Sequence, residues 1–85
     1  VHAESVQLAR DPALSPDGTT LAFAWRGDLW SVPVAGGRAL RLTQHSADES
    51  QPAYSPDGKQ LAFISTREGG TRQVFVMPAR GGAAR

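Results

Sequence analysis

The sequence predicts an all-β chain made of two tandem antiparallel repeats, each of four short strands. Three observations predict it. First, Pro12-Ala-Leu-Ser-Pro-Asp-Gly-Thr-Thr-Leu-Ala-Phe23 recurs as Pro52-Ala-Tyr-Ser-Pro-Asp-Gly-Lys-Gln-Leu-Ala-Phe63, offset by 40, with nine of twelve positions identical. Second, Leu29-Trp-Ser-Val-Pro-Val-Ala-Gly-Gly37 matches Val74-Phe-Val-Met-Pro-Ala-Arg-Gly-Gly82 at an offset of 45, and the five extra residues fall in the polar stretch Arg67 to Arg72. Third, the apolar runs are short and bounded by Gly, Pro and Asp, and no useful 3.6-residue period appears.

The elements follow in order. Leu14 and Tyr54 each lead into Ser-Pro-Asp-Gly, where Pro presets φ, Asp tolerates the next position and Gly accepts positive φ. That predicts a hairpin connection. Leu21-Ala-Phe-Ala-Trp25 and Leu61-Ala-Phe-Ile-Ser65 are almost wholly apolar, as a strand covered on both faces requires. Arg26-Gly27-Asp28 turns the first repeat, and the longer Arg67 to Arg72 turns the second. Leu29–Val32 and Val74–Met77 are the next strands, ended by Pro33 and Pro78. Gly36-Gly37 and Gly81-Gly82 turn again, and the more polar Arg38 to Thr43 forms a fourth, edge strand. Val6-Gln-Leu8 is a short alternating run, a further strand of the same outer kind.

Four antiparallel strands per 40–45 residues is the pattern of a β-propeller blade. A small sandwich or barrel is the other all-β reading, and the restart of the motif favours blades. The division is a lead at 1–11 holding a strand that could close a ring, a repeat at 12–43, a connector at 44–51, and a second repeat at 52–85 without its fourth strand.

Composition narrows the function. At 85 residues the core of a single unit is marginal. No cysteine is present, which removes disulfides, thiolate zinc sites and thiol catalysis together. Nine Lys and Arg against eight Asp and Glu give +1, no field for nucleic acid. No apolar run reaches the length of a membrane span.

The motif Pro-Ala-x-Ser-Pro-Asp-Gly-x-x-Leu-Ala-Phe, followed by a Trp or Phe strand, Gly-Gly and Leu42-Thr43, resembles the WD-like propeller repeat of TolB and of tricorn-type proteases. Arg26-Gly-Asp-Leu-Trp-Ser-Val-Pro-Val-Ala-Gly-Gly37 is similar to the opening blade of bacterial tricorn-like peptidases. The resemblance spans Asp11 to about Gly82 and implies two blades of a larger ring. It implies a protein or peptide interaction scaffold, or else a segment of the substrate-gating propeller of a tricorn-like peptidase. An engineered or truncated piece that self-assembles is a further reading. TolB-like relatives imply a periplasmic or extracytoplasmic setting.

Residue by residue, chemistry gives way to structure. Ser15, Pro16, Asp17, Gly18 and Ser55, Pro56, Asp57, Gly58 are accounted for by their turns. Phe23, Trp30, Phe63 and Phe75 are blade-packing aromatics. No Ser/His/Asp set is suggested, so no catalytic residue is assigned. His2 lies near the terminus and His45 in a polar connection; neither makes a metal spacing, and no metal or cofactor is expected. Trp25 differs, since its counterpart is Ser65 and it adjoins Arg26. Trp and Arg are favoured contact types, so Trp25, Arg26, Arg67 and Arg72 are the candidate partner surface. Partners expected are other blades of the same propeller or identical chains, for example three copies closing a six-bladed ring in which Val6–Leu8 completes the blade of the adjacent copy. Nucleic acid and membrane insertion are not expected.

Overall fold

A computed structural model describes residues 10–44 and 47–84. Seven strands follow one another: β1 Arg10–Leu14, β2 Thr20–Trp25, β3 Asp28–Pro33, β4 Leu40–Arg41, β5 Glu49–Tyr54, β6 Gln60–Ser65 and β7 Gln73–Pro78. They form a four-stranded sheet, order β1-β2-β3-β4, and a three-stranded sheet, order β5-β6-β7, with every pairing antiparallel. The all-β reading and the two-blade architecture stand. The expected strand at Val6–Leu8, together with His2 and His45, lies outside the described residues.

The repeat is reproduced in backbone detail. β1 and β5 each start ahead of the repeated motif, and each slips register, between Arg10 and Ala13 and between Ser50 and Ala53. Asp11 and Gln51 take positive φ, 56° and 53°, at these bulges. Each is followed by a proline, Pro12 or Pro52, whose missing N–H is tolerated where the ladder is interrupted. Arg26 and Gly27, with φ of 52° and 82°, make a two-residue turn of the mirror-image kind that suits strand twist.

The fourth strand is shorter than Arg38 to Thr43. Only Leu40 and Arg41 join the ladder, opposite Ser31 and Trp30. The side chain of Thr43 explains the end: its Oγ1 accepts the Leu29 N–H at 2.9 Å, taking a place that a strand carbonyl would fill.

Alternation sends the two faces of each sheet in opposite directions. From the second sheet, Leu61, Phe63, Phe75 and Met77 point at the first, which answers with Ala22, Ala24, Leu29 and Leu42. Small residues on one side and large ones on the other allow the sheets to close together. Phe63 and Phe75 are cross-strand partners with ring centroids 6.1 Å apart. On the opposite face of the first sheet, Phe23 pairs with Trp30, and Trp25 meets Trp30 edge to face at 5.4 Å. The innermost strands meet as well, where the Gln51 N–H donates to Asp11 Oδ2 at 3.1 Å.

The second sheet repeats the receiving face but leaves it open. Ala62, Ile64 and Val74 occupy the positions of Ala22, Ala24 and Leu29. Leu29 is 0% exposed and Val74 is 68% exposed.

Candidate functional site

The two ends of the sheet pair differ in chemistry. At one end lie the Ser-Pro-Asp-Gly turns. Ser15 Oγ donates to Asp17 Oδ1 at 2.7 Å and accepts the Thr20 N–H at 3.0 Å; Thr19 donates to the same carboxylate oxygen through N and Oγ1. In the second turn Ser55 Oγ donates to Asp57 Oδ1 and accepts the Gln60 N–H, while the Lys59 N–H reaches Asp57. Ser15 and then Thr19 hold the Asp17 carboxyl below its ordinary 3.8, and Ser55 and the Lys59 amide do the same for Asp57. Both serines spend their hydroxyls inside the turn, so this arrangement supplies rigidity rather than a nucleophile.

Between the sheets at this end opens a cleft of about 900 Å³, with Tyr54 and Leu40 among its apolar lining and Arg38, Lys59 and Arg80 among its cations. Tyr54 is half-buried there. Burial, and then the nearby Asp17 carboxylate, push its phenol above 10.0. Sequence reasoning missed this cleft, because its walls come from turns 40 residues apart that only sheet packing brings together.

The opposite end holds the four candidate contact residues. Arg26 is exposed and lies 4.8 Å from the centroid of the Trp25 ring, a cation–π contact at a strained tip. Arg72 is exposed on the β6–β7 connection. Arg67 folds inward instead. Its guanidinium pairs with Glu49 and lies 5.0 Å from the Phe75 ring and 5.5 Å from the Phe63 ring. Its Nε also donates to Ser65 Oγ at 3.2 Å. The structure thus joins Trp25 to Arg26, and ties Arg67 to the core.

Two buried acids at this end went unnoticed in the sequence. Asp28 accepts two hydrogen bonds from Arg41, through Nε at 3.0 Å and Nη2 at 2.5 Å, and lies near Thr43 Oγ1. Glu49 has a side chain that is fully buried, and its Oε2 has no hydrogen-bond partner among the described residues. Its own N–H donates to the Gly27 carbonyl, which sews β5 to the first sheet. Nothing in the local sequence separates these acids from solvated ones. Among the described residues, no three His, Asp or Glu gather into a metal site, and no helix is long and apolar enough to cross a membrane.

Comparison with known proteins agrees with this architecture. The model of the tricorn protease N-terminal beta propeller domain matches residues 6–85. The chain is similar to "Tricorn protease homolog 1" of Streptomyces coelicolor, 40% identical over 70 residues, covering 82% of this chain and 6% of that protein. It is similar to "Uncharacterized peptidase YuxL" of Bacillus subtilis, 34% identical, covering 88% of this chain and 13% of that protein. Among solved structures, a putative TolB from Agrobacterium tumefaciens superimposes with TM-score 0.80 at 27% identity, over 91% of this chain and 28% of the other. The tricorn protease itself gives TM-score 0.78 at 19% identity, over 92% of this chain and 8% of the other, a likeness of fold. The chain spans a small fraction of each of these proteins.

Proposed function

This chain belongs to the tricorn protease N-terminal β-propeller domain family, and we propose that it supplies two blades of a propeller that admits and holds polypeptide substrate for a peptidase. Bond cleavage belongs to another part of such an enzyme. The open face of Ala62, Ile64, Val74 and Val76 carries the reading. The equivalent face of the first sheet is sealed by the second, so this one fits the side of a further blade. Relatives whose names say protease or peptidase support the substrate class. A propeller that only holds a protein partner is the second reading, favoured by the Trp25–Arg26 tip, which spends a strained backbone on a half-buried aromatic and an exposed cation. Arg72 lies on the same end and extends that surface, with Arg67 beneath it as support.

Incubating the pure chain with broad peptidase and esterase substrates, alongside a binding titration with unstructured peptides, tests the proposal. Peptide binding without turnover is the expected result. Robust turnover by the pure chain overturns it, and so does failure to bind any peptide. Loss of binding to a folded protein partner, but not to peptides, on Trp25→Ala supports the second reading.

A further inference from the structure

We propose that the cleft at the Ser-Pro-Asp-Gly end binds an extended acidic peptide, with Arg38, Lys59 and Arg80 taking its carboxylates and Tyr54 and Leu40 its apolar side chains. The proposal rests on the peptide-handling reading above and names the class of peptide.

Charge is the first argument. Arg41 and Arg67 are held by Asp28 and Glu49. Arg38, Lys59 and Arg80 have no ion pair among the described residues, and all three are exposed where they line the cleft. Two carboxylates, Asp17 and Asp57, line the cleft beside them; both are fixed in their own turns and keep their charge, and Lys59 is close enough to Asp57 to help hold it ionised. Asp17 accepts three hydrogen bonds from its own turn and Asp57 accepts two, each on Oδ1. Three cations thus line the cleft against two carboxylates, and the carboxylates are held in place by their turns while the cationic side chains extend from exposed positions.

Shape is the second. The cleft runs between two sheets, is open to solvent, and has a volume of about 900 Å³, the scale of a bound peptide segment. The rings of Pro16, Pro33 and Pro78 make stiff walls that need no ordering when a ligand enters. Leu40 is 53% exposed, an apolar side chain waiting beside arginines. Tyr54 offers a hydroxyl with no hydrogen-bond partner among the described residues. A guanidinium fork matches a carboxylate in two parallel hydrogen bonds, which favours glutamate and aspartate side chains as the charged partners. A nucleic acid suits the cleft less well, since Tyr54 is its one aromatic and a single ring makes a poor stacking platform.

The test is fluorescence anisotropy with a labelled hexapeptide of glutamates and one leucine, against the same peptide with glutamine for glutamate and against a hexanucleotide. Saturable binding of the acidic peptide is expected, weakened by about tenfold or more when Arg38→Gln and Arg80→Gln are combined, the effect of losing charge-assisted pairs. Binding should also weaken steadily with salt. Circular dichroism checks that the double variant is folded; if it is not, Lys59→Gln and the salt series give the reading. Equal affinity for the glutamine peptide, tighter binding of the oligonucleotide, or indifference to the substitutions overturns the cleft. Charge-independent peptide binding that falls on Trp25→Ala keeps the peptide-handling reading and removes this site. No peptide binding at all removes both.

Discussion

The Arg67 guanidinium pairs with the Glu49 carboxylate across the width of the second sheet, from the β6–β7 turn to the first residue of β5. Glu49 is fully buried at its side chain and Arg67 is 16% exposed, so solvent screens this pair poorly. Breaking it from one side is expected to be costly. Arg67→Ala strands a buried carboxylate and also strips a cation from the faces of Phe63 and Phe75. A loss of about 3 kcal/mol or more in denaturant unfolding is expected, while Arg67→Met with Glu49→Gln together cost much less. Equal losses for the single and double variants would mean the pair is not the source.

The turn carboxylates give a pH signature. Asp17 and Asp57 are held below 3.8 by their hydrogen bonds, so the folded state prefers them ionised. Their contribution is present above 3.8 and is lost as pH falls through the lowered folded values. These two groups should leave denaturation midpoints unchanged above that point and lower them below it. In Asp17→Asn with Asp57→Asn, the acid step should shrink.

Tyr54 is the chain's one tyrosine, so phenolate absorbance reports it alone. Burial and Asp17 raise its folded value above 10.0. Stability is then full below 10.0 and declines as pH climbs through the raised value. Asp17→Asn should bring the titration part of the way back, since burial, the larger cause, remains. An unchanged titration in that variant would place the Asp17 carboxylate out of reach.

At the tip, Arg26 and Gly27 make opposite predictions. Arg26 occupies left-handed backbone without being glycine, so Arg26→Gly should leave stability level or raise it by about 0.5–1 kcal/mol while removing the cation over Trp25. Gly27→Ala should destabilise by about 1–2 kcal/mol, because φ is 82° and a Cβ there comes within 3.2 Å of Asp48 Oδ1. Thermal melts of the two variants should move apart, and parallel shifts would contradict the turn.

Val74 separates folding from assembly. At 68% exposure, Val74→Asp should change unfolding free energy by no more than about 0.5 kcal/mol. Phe63→Ala, on the sealed face, should cost about 3–5 kcal/mol. Light scattering of the wild-type chain should show association that Val74→Asp abolishes; association surviving the substitution would move the contact to another face.

The sequence by itself determined the repeat, the strand order and the turns. These rest on short-range rules: glycine accepting positive φ at Gly18 and Gly58, proline presetting the turns at Pro16 and Pro56 and ending strands at Pro33 and Pro78, and short apolar runs bounded by those turns. It also assigned the family through the same motif. What only the tertiary structure decided was the fate of the charges. Arg67 and Arg72 read alike along the chain, yet one is folded over two rings and the other is exposed. Glu49 stood in a polar connection and proved fully buried. The cleft cations Arg38 and Arg80 lie 42 residues apart and line one cleft only because one sheet packs against the other. Burial of a charge depends on which sheet lies over it, and that is a long-range packing outcome no local pattern encodes.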